Sequence, residues 1–464
     1  MAYRMSPKSS MHSINSRNSK NFKRNNTMSI ERKKMPLFHA EEFYLKNGLH
    51  VVLIKKLSQA VSITVLYKVG TADDPEGLTG LSHFLEHMMF RGTKKYPGNI
   101  FKEKIASMGG YVNAFTSFDV TCYENRIPQE ALEEVLEMEA DRMVNLQYNQ
   151  DDVKAELKAV EEEYGMRMGN SPFGPVTELI YRNLYLYHPY GVLPIGYPQH
   201  IKSYTRENAF AWYQKWYHPN NAVLTIAGDI DFEQTKHCIE KHFGALPSHS
   251  LPERIRVKEP EIKSTTRYIK QSHDRFAFTV VEFIFDAPNK DDVYEFAVYL
   301  LGGGTLSLFY NHFVRKLNQG VQDVGMSYSL SLDSPNNMSL MFEVAPDQVI
   351  QTSVFDAFEE YKKELLSGYF SSEDFQNRFE SAKRRKIANL ILKTDGTMSA
   401  AETFINLGFN LSFDEINHRA QVIEKITLED VKKAIVDILM KKPKVVFVGV
   451  PKNENSHLYS FKVD

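Results

Sequence analysis

The chain has 464 residues, 42% of them hydrophobic and 25% charged, with a formal net charge of -2. Its length exceeds what one hydrophobic core usually organises, so two domains are expected; the near-neutral balance argues against nucleic acid as the main partner. No apolar run approaches the roughly 18 residues that span a bilayer, and the two cysteines, Cys122 and Cys238, form neither a C-x-x-C pair nor a disulfide framework and read as buried thiols suited to a reducing compartment.

Residues 1–35 carry nine Lys/Arg against the single acid Glu31 and are rich in Ser and Asn. Without an apolar h-region they are not a secretory signal. They read as a disordered basic tail, with an organellar leader as the alternative; the corresponding compartments are the cytoplasm and, as alternative, the mitochondrial matrix. From about Met35 the pattern becomes strand–helix alternation. β-Branched content predicts strands over 48–54 and 61–67. His83-Phe84-Leu85-Glu86-His87 follows. Residues four apart on a helix share a face, so the two imidazoles can reach one metal ion. Glu86, beside His87, is positioned to take a proton from water rather than to bind the metal. The order H-x-x-E-H is an inverted-zincin signature; the plainer reading is two histidines flanking a carboxylate on an amphipathic helix.

Residues 109–117 predict a short strand entered through the glycine pair Gly109-Gly110. The stretch 129–146, with Leu132, Val135, Leu136 and Met143 on one face, predicts an amphipathic helix. Glu156 and Glu163 lie seven apart, two helical turns, and share a face. Glu161, Glu162 and Glu163 also read as a solvated helix face, and Glu162 competes with Glu163 by one position. His188, His200 and His218 are not at ligand spacing and read as structural. The polar, proline-containing stretch 246–266 predicts an interdomain linker. The second half opens on an apolar strand, 277–284, and ends on 444–450, which echoes 223–229. It contains no H-x-x-E-H, so a metal belongs to the first half. The run Leu301-Gly302-Gly303-Gly304-Thr305 lacks the Gly-Lys-Ser/Thr ending of a phosphate loop.

The run from Gly80 to Thr93, G-L-S-H-F-L-E-H-M-M-F-R-G-T, closely resembles the active-site helix of the pitrilysin/insulinase family of zinc metallopeptidases. It is most similar to the short members, among them mitochondrial processing peptidase subunits and bacterial relatives. The resemblance covers roughly residues 40–240 and continues weakly beyond. It implies an α+β fold of two similar domains, each a mainly antiparallel sheet packed with helices. The implied division is a catalytic domain over 36–245, a linker over 246–266 and a second, metal-free domain over 267–464. It implies one Zn2+ per chain, held by His83, His87 and Glu163, with Glu86 as base and Glu156 as the carboxylate supporting the site. Asn113 and Ala114, on an edge strand, would contact the substrate backbone around the scissile bond. Arg315 stands near the place of a substrate-binding arginine, but position 322 is Gln where the family has tyrosine, and Tyr328 is thirteen residues on. The implied activity is an endopeptidase acting on unfolded peptides, in a homodimer or a heterodimer with a related subunit. A non-catalytic partner subunit and a metal-binding, peptide-presenting scaffold are the alternatives; the complete set of ligands and base argues against the first, and Glu86 against the second.

Overall fold

The computed structural model describes residues 36–451 apart from 171–172, 260–265, 274–278, 289–290, 318–319, 330–335, 346–353 and 409–410. The tail over 1–35, the start of the strand expected at 277 and the end of the expected linker lie outside the described residues.

Two sheets organise the chain. The first contains β1 (His39–Tyr44), β2 (His50–Lys55), β3 (Ala60–Tyr67), β4 (Tyr111–Thr116), β5 (Thr121–Pro128) and β6 (Ala222–Gly228), in the order β1-β2-β6-β3-β5-β4. The second contains β7 (Arg267–His273), β8 (Thr279–Ala287), β9 (Val321–Ser329), β10 (Asn336–Val344) and β11 (Val445–Pro451), in the order β7-β11-β8-β10-β9. Setting β1 aside, the two orders are the same. Each sheet is antiparallel except for one parallel pair, β2 with β6 and β7 with β11. The echo between 223–229 and 444–450 is thus a shared position beside that parallel neighbour. This is the two-domain α+β architecture expected from the sequence.

The apolar strands β3 and β6 are buried along nearly their whole length, as strands covered on both faces must be. Val51, Leu53, Ile63 and Val65 meet the first half's own helices, whereas Val52, Ile54 and Ala227 meet Ala400 and Ala401. Those alanines belong to a helix of the second half, Thr397–Gly408, and Thr397 also accepts a hydrogen bond from Ser62 of β3 at 3.0 Å. The cover is reciprocal. The first half's helix Phe173–Leu184 buries Val176, Ile180 and Leu184 against Val280, Ile284, Val445 and Phe447 of the second sheet. Each half therefore completes the other's core.

The segment joining the halves is bound rather than free over its described part. Arg256 bridges Asp73 (2.8 Å) and Asp119 (2.5 Å), and Glu259 accepts from the backbone N–H groups of Tyr187 (2.9 Å) and His188 (3.0 Å). Of the two thiols, Cys122 is buried as expected but Cys238 is only half-buried, because it sits on the outer helix Phe232–Phe243.

Candidate metal centre and active site

The histidine motif forms helix α1 (Leu81–Met88). Its start is unusual: Gly80, the residue before it, has φ of 92° and no capping side chain of its own. Asp74 supplies the cap from six residues upstream, accepting from Gly80 N (2.6 Å) and Ser82 N (2.9 Å). A side chain at Gly80 would meet Tyr204 Oη at 2.6 Å, so only glycine fits both the left-handed backbone and the close approach. Ser82 Oγ accepts from Trp212 Nε1 at 3.0 Å, tying the first turn to the helix Arg206–Trp216. Buried Phe84, Leu85 and Met88 fix the rotation of α1 against the core and turn His83 and His87 toward the helix Gln150–Tyr164.

Helix α2 (Gln150–Tyr164) starts with a reciprocal cap between Asn149 and Asp152 and runs directly into a π-helical turn, Gly165–Gly169. Such wide turns often occur at functional sites. Glu163, one residue before this junction, points Oε2 at both imidazoles, 3.5 Å from His83 Nε2 and 3.4 Å from His87 Nε2. One ligand atom from each of the three residues lies within 4.8 Å of the others, and no other such group of three or more occurs among the described residues. Its neighbour Glu162 faces outward, 66% exposed, 3.8 Å from Lys158. Packing of α2 against α1 separates the two glutamates that the sequence left one position apart.

Glu156 does not join the trio. It accepts from His87 Nδ1 at 3.0 Å, while its other oxygen is held by Arg91 Nε at 2.6 Å. A carboxylate on the far ring nitrogen fixes the orientation of the ring and keeps Nε2 turned inward. Arg167 holds Glu163 Oε1 at 2.5 Å. Glu86 is buried, and its Oε2 accepts from Thr116 Oγ1 at 2.6 Å.

Burial and the neighbouring His87 hold the His83 imidazole down at about 3, and so neutral. Burial also pulls His87 down, but its hydrogen bonds to Glu156 and Glu163 more than reverse this and raise it to about 9. Burial would raise Glu163, yet its contacts with His87, His83 and Arg167 bring it to about 2. Glu86 is held above the usual carboxylate range by burial, against the opposing Thr116 bond.

Of the other residues singled out in the sequence, Asn113 and Ala114 lie on β4, the last strand of its sheet. Asn113 is exposed and Ala114 is half-buried against the core. Arg315 bonds Asn311 at 2.9 Å and lies over the Tyr310 ring; no described contact brings it to the histidines. Thr116, Arg91, Arg167 and Asp74 were not assigned roles in the sequence. Arg167 had a legible signal, four residues after Glu163 on one helical face; Thr116 had none.

The donor set fits zinc. Two ligands about 2.0–2.1 Å from a tetrahedral zinc stand roughly 3.3 Å apart, close to the 3.4 and 3.5 Å found here. Two imidazoles and one carboxylate leave a fourth position for water or substrate, the pattern of catalytic rather than structural sites.

Known proteins bear on this geometry. The insulinase (peptidase family M16) model matches residues 50–190, and the peptidase M16 inactive-domain model matches residues 203–379. The chain is 34% identical to the zinc protease PqqE of Helicobacter pylori over 208 residues, 44% of this chain and 47% of that protein. The match thus spans about half the length of that relative. An uncharacterized zinc protease of Bacillus subtilis, YmxG, is 25% identical over 81% of this chain and 90% of its own length. A protease crystal structure from H. pylori superposes with a TM-score of 0.78 at 24% identity, covering 89% of this chain and 100% of that one. A putative M16-like peptidase from Alicyclobacillus acidocaldarius gives 0.75 at 20% identity, covering 89% and 98%. With both parts of one family matched in succession on a chain that has the fold of M16 peptidases, the protein belongs to the M16 (insulinase) peptidase family.

Proposed function

We propose that this chain is a zinc-dependent endopeptidase that hydrolyses extended peptide segments with water. The observation that carries the reading is the convergence of His83 Nε2 and His87 Nε2 on one oxygen of Glu163, with a buried Glu86 adjacent in the chain. His83, His87 and Glu163 would hold the ion. When bound, zinc supplies a Lewis acid that lowers the pKa of water toward about 7 and polarises the scissile carbonyl.

The chain's own groups do the rest. Glu86 accepts the proton of the attacking water and delivers it to the leaving amine. Its buried setting favours this exchange, since a carboxyl raised above its usual range accepts a proton more readily. Glu156 and Arg91 keep His87 oriented, and Arg167 keeps Glu163 oriented. The outer edge of β4 offers unpaired backbone groups to an extended peptide, with Asn113 and Ala114 on that edge. Backbone pairing selects extended segments over folded domains. A second chain of the same kind, identical or related, would enclose the substrate.

The test is Glu86→Gln. The variant should keep its zinc while peptide hydrolysis falls by about 10²–10⁴, the usual contribution of a general acid–base group. A rate within a few fold of the parent, with the same zinc content, would overturn the proposal.

A further inference from the structure

We infer that Thr116 is a positioning residue for the base: its hydroxyl holds Glu86 in the orientation that takes up the water proton, and does so from the end of the strand on which substrate is laid. This inference rests on the peptidase reading above. Thr116 Oγ1 donates to Glu86 Oε2 at 2.6 Å. A bond from a hydroxyl to a carboxylate at this length is charge-assisted and roughly twice as strong as a neutral one. It occupies one oxygen and leaves Oε1 for the incoming proton. A glutamate has three side-chain torsions to immobilise, and a threonine, stiff at χ1, is a rigid anchor for them.

The anchor is itself held from several sides. Thr116 is the last residue of β4 and pairs across the ladder with Thr121. The turn that follows is closed by Ser117 N donating to Val120 O at 2.8 Å. Thr71 N and Ala72 N, in the segment leading to α1, donate to Ser117 O (3.1 Å) and Phe118 O (2.8 Å). That approach is close enough that a side chain at Gly70 would meet Phe118 O at 2.5 Å. Asp119, in the same turn, is held by Arg256 and by Tyr190 Oη, each at 2.5 Å. Arg256 also grips Asp73, so the joining segment fastens the turn after Thr116 to the segment before α1. Thr116 alternates with Phe115, and its half-buried side faces the α1 surface of the sheet. A peptide paired to the edge of β4 therefore lies on the same strand that aims the base.

The experiment uses Thr116→Val, which keeps shape and strand propensity but removes the donor, and Thr116→Ser, which keeps the donor. Both are compared with the parent, with Glu86→Gln and with the double variant on an unstructured fluorogenic peptide, recording kcat, KM, bound zinc and thermal unfolding. Thr116→Val should lower kcat by about 10-fold to 10²-fold, the scale of a misplaced reacting group. KM should stay within about threefold and zinc near one per chain, because neither the strand backbone nor the ligands change. Thr116→Ser should recover most of kcat, and Thr116→Val should cost nothing further in the Glu86→Gln background. A parent-like kcat in Thr116→Val, a loss confined to KM, or loss of zinc would each overturn the assignment. If Thr116→Val does not fold, Thr116→Ala carries the same expectations. An active Glu86→Gln would sink the peptidase reading itself, whereas an inactive Glu86→Gln beside a fully active Thr116→Val would sink only the role of Thr116.

Discussion

The two halves share one strand order but spend their buried helices differently. In the first, the helix after β3 carries His83 and Glu86 into buried positions. In the second, the helix after β8, Asp292–Gly302, fills its buried face with Phe296, Ala297, Leu300 and Leu301. Desolvating polar groups costs free energy unless they find partners; the first half supplies Thr116 to Glu86 and Glu163 to His83, whereas the fully buried positions of the second helix are all apolar and its carboxylates Asp292 and Glu295 stay partly exposed beside Arg419. The scaffold therefore does not specify the chemistry. A sheet edge and a helix across it become a candidate active site only where the helix presents ligands and neighbouring elements hold them.

The largest expected effect tests whether the metal belongs wholly to one half. The parent should bind about one zinc per chain, and His87→Ala should lose nearly all of it together with activity, since a catalytic site needs three protein ligands. Elemental analysis reads this directly, and zinc remaining in the variant would mean that the second half contributes a site of its own.

A second contrast concerns buried charge. Arg142 is fully enclosed, bonded twice to Glu139 (2.7 and 2.9 Å) and stacked on Phe101 and Tyr123. Arg142→Ala would leave Glu139 buried without its counter-charge, bonded only to Asn125, a loss of about 3–5 kcal/mol. Arg419, a buried arginine of the second half, pairs with Asp292 and Glu295, which are 31% and 28% exposed. Those carboxylates reach water when Arg419 is removed, so Arg419→Ala should cost only about 1–2 kcal/mol. Denaturant unfolding of the two variants checks the order; equal losses would erase the distinction.

The smallest effect is a pH dependence seated in the second half. Burial raises Glu295, but Lys386 and Arg419 overcome it and hold the carboxyl below its ordinary range. A depressed folded pKa gives stability that is full above the unfolded value of about 4.3 and is lost as the pH falls below it and through the folded value. Glu295→Gln should therefore be less stable than the parent at pH 7, with the gap narrowing at roughly pH 3. A gap that stayed constant would remove Glu295 from the acid response.

What was legible in the sequence was local. His83, Glu86 and His87 could be assigned because a spacing of four on a helix is enough to put two side chains on one face. The strands over 48–54 and 61–67 emerged as β2 and β3 within one or two residues, since β-branched runs have few other stable conformations. The helix expected over 129–146 forms at Leu132–Val144, after a 3₁₀ turn at Gln129–Ala131. Glu163 was less legible. Its spacing from Glu156 held, but only the contact of α2 with α1 turned it inward and left Glu162 in solvent. Thr116 was silent, being one threonine among several on β-type segments.

The sequence alone pointed to the candidate ligand pair and the carboxylate beside it, because these follow from the 3.6-residue period of a helix, whereas the duplication of the two halves was implied by the family resemblance rather than by the faint echo between strands. The tertiary structure decided which glutamate completes the trio, which hydroxyl holds Glu86 across 30 residues, and which sheet each amphipathic helix covers. Helix Phe173–Leu184 lies on the second half's sheet and Thr397–Gly408 on the first half's. An apolar stripe states that a helix must be covered, not by what; the partner is selected by how separate surfaces fill one core, which no local period encodes.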